Sequence, residues 1–184
     1  FNPIWPYEWS EYAVYESITN ANFQDAVNLW FSDEANATFT YGHIRDWNTT
    51  AVTNMSNAFN GRAIFNEDIS GWDVSSSTNM NSMFKGCSSF DQPLGDWNVS
   101  SVSKMWAMFE DASSFNQQIG NWDVSKVTNI GFMFKNASAF NQDIGDWNTT
   151  AVTSAYSTFH GASSFNQNIE NWNLSACLTM NHMF

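Results

Sequence analysis

The chain of 184 residues is short of positive charge, with six Lys and Arg against 18 Asp and Glu, for a formal net charge of -12. Neutralising phosphates takes a basic stripe, so binding to nucleic acid is not expected, and an anionic membrane surface would repel the chain. Long apolar runs are missing too. No segment approaches the roughly 18 residues of a membrane span, so no membrane insertion is expected. Cysteine is scarce: Cys87 and Cys177 have no C-x-x-C spacing, which leaves neither a disulfide framework nor a structural zinc site. His43, His160 and His182 share no ligand spacing and no triad order. Carboxylate pairs such as Asp73 with Asp96 carry no sign of the apolar cleft that glycoside hydrolysis needs. The chain is therefore expected not to be an enzyme. It has no EF-hand loop and no G-G-x-G-x-D nonapeptide, so no cofactor is expected, with Ca²⁺ the one ion left open. The chain starts at Phe1 with no Met and no basic-then-apolar leader, which fits a processed chain.

Apolar and aromatic residues are plentiful, at 43% and 17%, too many for a disordered chain. They are also periodic. Trp47, Trp72, Trp97, Trp122, Trp147 and Trp172 are spaced 25 apart. The same interval separates Phe59, Phe84, Phe109, Phe134, Phe159 and Phe184, the series from Phe65 to Phe165, and the series Ile44, Ile69, Leu94, Ile119, Ile144 and Ile169. Such a period marks stacked units, each burying its apolar face on its neighbours. The Trp, Phe and Met series are read as core; carbohydrate stacking platforms are the alternative.

Within a unit, Trp72-Asp73-Val74 alternates as a strand requires, and Val127, Ile130, Met133 and Phe134 suit one face of a short helix capped by Ser125. Residues 1–43 do not follow the period and are expected to form an N-terminal cap with one helix in the stretch Asn20 to Asp33. Phe1 to Trp9 is expected to wrap the surface. Residues 44–184 would form a solenoid of 25-residue repeats, the last incomplete. A β-helix without helical turns is the structural rival.

The units SFNQQIGNWDVSKVTNIGFMF, from Ser114, and AFNQDIGDWNTTAVTSAYSTF, from Ala139, closely resemble a repeat of bacterial and algal surface proteins, the BspA-like or DUF285 family, a relative of leucine-rich repeats. The pattern is interrupted at Ser77, Ala155, Thr49, Thr149 and Pro93. The expected fold is an α/β solenoid: a leucine-rich-repeat-like right-handed coil with a parallel concave sheet and short helical turns on its convex side. The resemblance implies a secreted or cell-surface protein serving adhesion or recognition, with no catalytic motif to carry over.

If the Trp side of each strand faces inward, a concave face would carry Asp46, Asn48, Asp73, Asp96, Asn98, Asn121, Asp123, Asp146 and Asn148. Their mixed donors and acceptors suit a glycan or an extracellular protein. The leading expectation is a recognition or adhesion module binding through that face, and the alternative is a purely structural repeat spacer. An ice- or mineral-contacting surface is a third reading, which the expected curvature opposes. Self-association through an uncapped C-terminal end is a further option. Cys87 and Cys177 are expected to be buried free thiols, several coils apart and beyond the roughly 7 Å Cα reach of a disulfide. Several N-x-[ST] sequons occur, of which Asn36 is the best glycan acceptor.

Overall fold

A computed structural model describes residues 14–184. The segment Phe1 to Trp9, expected to wrap the surface, lies outside the described residues. Two helices come first, α1 over Phe23–Ser32 and α2 over Glu34–Tyr41, followed by a 3-10 turn at Ile44–Asp46. The second helix was not anticipated. Its start is fixed by Asp33, whose side chain accepts from the Asn36 amide, and Gly42 closes it at a φ of 81°.

From residue 47 onward, residues 25 apart lie against one another. Phe59, Phe84, Phe109, Phe134, Phe159 and Phe184 form a row with ring centroids 5.5 to 5.7 Å apart and planes within 17° of parallel. A second row, Phe65 to Phe165, runs beside it, and the paired rings of one unit sit about as close as Phe109 and Phe115, at 4.0 Å. The periodic indoles are buried, and from Trp72 onward each N–H reaches back a unit to a carbonyl: Trp72 to Ile44 at 2.8 Å, Trp122 to Leu94 at 2.9 Å, Trp172 to Ile144 at 2.9 Å. An indole here contributes its buried area, about 2–3 kcal/mol, and its buried N–H finds an acceptor in a carbonyl that also takes an amide of its own unit.

Helix α1 lies on the first unit. Phe23, Ala26, Val27 and Trp30 are buried, with Phe23 against Trp72 and Trp30 against Trp47 in edge-to-face geometry. Asn20 supplies at this end what a preceding unit supplies elsewhere. Its Oδ1 accepts from the Thr53 amide at 2.9 Å, where the Thr78 amide instead meets the Thr53 carbonyl at 2.8 Å.

The expected parallel concave sheet is absent. Among the described residues there is no β-strand, and pairing is confined to isolated parallel bridges, Asn54 with Asn79, Asn79 with Lys104 and onward to Thr179. Neither does Trp72-Asp73-Val74 form a ladder: the Trp72 amide turns back to Ile69 of its own unit. The unit-to-unit bonds lie elsewhere, in the segment expected to be helical. The amides of Ala107, Phe109 and Asp111 donate to the carbonyls of Gly131, Met133 and Lys135. That segment cannot pleat, because it carries left-handed residues four apart, such as Ala107 and Asp111 at 55° and 60°, and closes i→i+3 turns such as Met108 to Met105. The same geometry removes the expected helical turns. Ser125 caps nothing there; its amide donates to Asp123 at 3.0 Å. The α/β, leucine-rich-repeat-like and solenoid descriptions rested on that sheet and those helical turns, and they fall with them.

Cys87 is buried, its thiol pushed up to about 12 by loss of solvation. Cys177 is only half-buried, against the expectation that both would be enclosed. Both are free. Ser77 stands fully buried in the column of Val52, Val102, Val127 and Val152, and its hydroxyl has no hydrogen-bond partner.

Candidate functional site

With no concave sheet, there is no concave acidic face to present a glycan or protein. The adhesion reading that depended on it is overturned; the alternative, a purely structural repeat spacer, required no such face. Each residue expected on that face can still be placed. Asn48, Asp73, Asn98, Asp123 and Asn148 are exposed, but each bends its side-chain oxygen onto the amide two residues on: Asn48 to Thr50 at 3.1 Å, Asp73 to Ser75 at 2.9 Å, Asn98 to Ser100 at 3.2 Å, Asp123 to Ser125 at 3.0 Å and Asn148 to Thr150 at 3.2 Å. These are turns of the kind Asn and Asp make with their own backbone. Hydrogen bonds from Ser75 and Ser125 hold the carboxyls of Asp73 and Asp123 below the usual carboxylate range.

Asp46, Asp96, Asn121 and Asp146 are exposed and make no side-chain hydrogen bond among the described residues. Asn121 and Asp146 line a shallow depression of 310 Å³ with Gln118, Gln142 and Asp143. Asp96 lines another of 460 Å³ with Pro93 and Gln118. The lining of the second is tight, since a Cβ on Gly95 would stand 2.8 Å from the Gln118 carbonyl. The neighbouring Asn row is structural. The Asn116 amide donates to Asp91 and the Asn141 amide to Asn116, both at 2.9 Å.

A different surface stands out, and the sequence reading missed it. Trp106 is 36% exposed, the one exposed indole among the described residues. Its ring meets Phe132 edge-on at 5.7 Å; Phe132 meets Tyr156 at 5.0 Å, and Tyr156 meets His182 at 5.9 Å. Phe132 and Tyr156 are half-buried. The strip crosses four units along the stacking direction. Phe132 holds its place at a φ of 59°, a left-handed conformation that costs a bulky residue energy.

Two lysines lie against these rings, Lys85 Nζ 5.7 Å from the Trp106 centroid and Lys135 Nζ 5.1 Å from that of Phe132. Both are held by one carboxylate. Glu110 receives Lys85 on Oε2 at 2.7 Å and Lys135 on Oε1 at 3.2 Å, and its side chain is 8% exposed against 34% and 29% for the lysines. The signal in sequence was departure from period. Trp106 and Tyr156 replace Ser56, Asn81 and Asn181, and Phe132 replaces Asn57 and Ser82, at places where other units carry small polar residues.

A family model described as "Mycoplasma protein of unknown function, DUF285" matches residues 25–131 and again 102–184. The chain belongs to the DUF285 family. No curated protein and no solved structure matches it. This DUF285 member has, among its described residues, no group of three or more His, Cys, Asp or Glu able to hold a metal ion, and no helix long and apolar enough to cross a membrane.

Proposed function

We propose that this DUF285 protein works outside the cell or on its surface, without catalysing a reaction, and holds a glycan or an extracellular protein on the strip of Trp106, Phe132 and Tyr156. The observation that carries the reading is a half-exposed row of rings, Trp106 with Lys85 packed on it and Phe132 with Lys135, in columns where other units carry small residues. Aromatic rings beside fixed cations are what recognition surfaces concentrate, because a stiff ring gives much contact area for little lost entropy. Membership of a family that resembles surface-protein repeats supports the location.

The test is binding of the whole chain to arrays of glycans and of extracellular proteins, comparing the parent with Trp106→Ala and Tyr156→Ala variants of equal thermal stability. Loss of the captured partner in both variants is expected; undiminished capture would refute the strip. A second reading places a small polar ligand over Asp46, Asp96, Asn121 and Asp146, supported by the depressions at Asp96 and at Asn121 with Asp146. Asp96→Ala with Asp146→Ala would abolish binding on that reading and leave it unchanged on the first.

A further inference from the structure

The strip combines two kinds of group whose chemistry narrows its ligand. Its rings offer faces and edges along a line rather than a pocket, and the depressions at Asp96 and Asp146 lie around other residues. Protein partners anchor by filling desolvated pockets, whereas a linear chain of sugars can lie along a ridge that repeats from unit to unit. The charge decides between classes of sugar. Lys85 and Lys135 are the cations on the strip, and the single Glu110 carboxylate bridges both, so neither ammonium is left without a counter-charge. A polyanion would also approach a chain of net charge -12. Each ammonium nonetheless has three N–H groups and spends one on Glu110, which leaves donors fixed beside the rings.

We propose that this strip binds an uncharged polysaccharide, its sugar C–H faces against Trp106, Phe132 and Tyr156 and its hydroxyls accepting from Lys85 and Lys135. The proposal rests on the functional reading above and specifies its ligand. Sugar rings present polarised C–H groups to the negative face of an aromatic ring, a contact that needs no charge and is little screened by salt.

The experiment titrates the whole chain with soluble unsubstituted β-glucan, mannan and xylan, with a polyuronate and a sulfated glycan as charged counterparts, and with an acidic peptide. Binding is read by calorimetry and by tryptophan emission at low and high salt. Among the described residues Trp106 is the exposed indole, since Trp30, Trp47, Trp72, Trp97, Trp122, Trp147 and Trp172 are buried, and the emission change that Trp106→Phe removes is its own. The expected result is binding to a neutral polysaccharide, unchanged by salt and weakened about tenfold or more in Trp106→Ala at unchanged melting temperature. Trp106→Phe should retain binding and lose the emission change. Binding confined to the charged glycans or the peptide, weakened by salt and by Trp106→Ala, would overturn the neutral-sugar proposal and keep the strip. Binding of any probe that Trp106→Ala leaves intact would overturn both, as would no binding to any probe or extracellular protein.

Discussion

Two surface rows of this molecule run along the same stack of units and are built on opposite rules. The row of Asn48, Asp73, Asn98, Asp123 and Asn148 repeats faithfully, and each member spends its side-chain oxygen closing its own turn. The strip of Trp106, Phe132 and Tyr156 breaks the repeat, in columns where other units carry small residues, and its rings serve no turn. In a stacked chain, a residue needed by every unit recurs in every unit. Regularity therefore reports what holds the stack together, and a large side chain that breaks it needs another explanation.

The comparison can be broken from either side. The periodic indoles should be the most costly to lose: Trp122→Ala removes a buried ring and the donor to the Leu94 carbonyl, and should lower unfolding free energy by about 3–5 kcal/mol in a denaturant titration. Ser77→Val should move the other way. It places the column's usual Val where a buried hydroxyl has no partner, and a gain of about 1–2 kcal/mol is expected in the same titration. A loss would mean that the hydroxyl is satisfied after all.

Asp73→Ala removes one turn acceptor and should cost about 0.5–1 kcal/mol, with Asp73→Asn costing less because an amide oxygen keeps the bond without its charge. The pH dependence has a definite sign. Asp68, Asp73 and Asp123 all have carboxyls held below the unfolded value of 3.8, chiefly by hydrogen bonds from Ser70, Ser75 and Ser125. Their contribution is full above that value and disappears as pH falls through the lower folded values. The triple Asn variant should accordingly be somewhat less stable than the parent near neutrality and show a shallower acid limb, the two converging below about pH 4. The smallest expected effect is that of Trp106→Ala, within about 0.5 kcal/mol of the parent, since a surface ring away from the core supports little.

Much of the interior was legible from sequence, and the reason is parity. Trp72 and Val74 share a side of the chain, as do Trp122 and Val124, and all four are buried. The use of Asn66, Asn116 and Asn141 to bind loop backbone was legible for the same reason, as a polar residue recurring beside a buried Phe. Backbone class was not legible. Alternation at Trp72-Asp73-Val74 is as compatible with an extended segment that pairs with nothing, and Trp47, at φ -63° and ψ 130°, has that conformation. The left-handed positions were hidden as well, because Ser82, Ala107, Phe132 and Ser157 occupy a column where glycine would have announced them. The strip was overlooked because attention to period discards what departs from it, although Lys85, Glu110 and Lys135, each 25 apart, already share one column in the sequence.

The most direct test sets the two rows against each other on one ligand. Asp73, Asp96 and Asp123 are replaced together by Ala in one variant and Trp106 by Ala in another, and both are titrated with the same neutral polysaccharide beside their melting curves. The account predicts that the Trp106 variant melts like the parent and loses the polysaccharide, while the triple variant melts earlier and still binds it. Binding lost in the triple variant and kept without the Trp106 indole would contradict it.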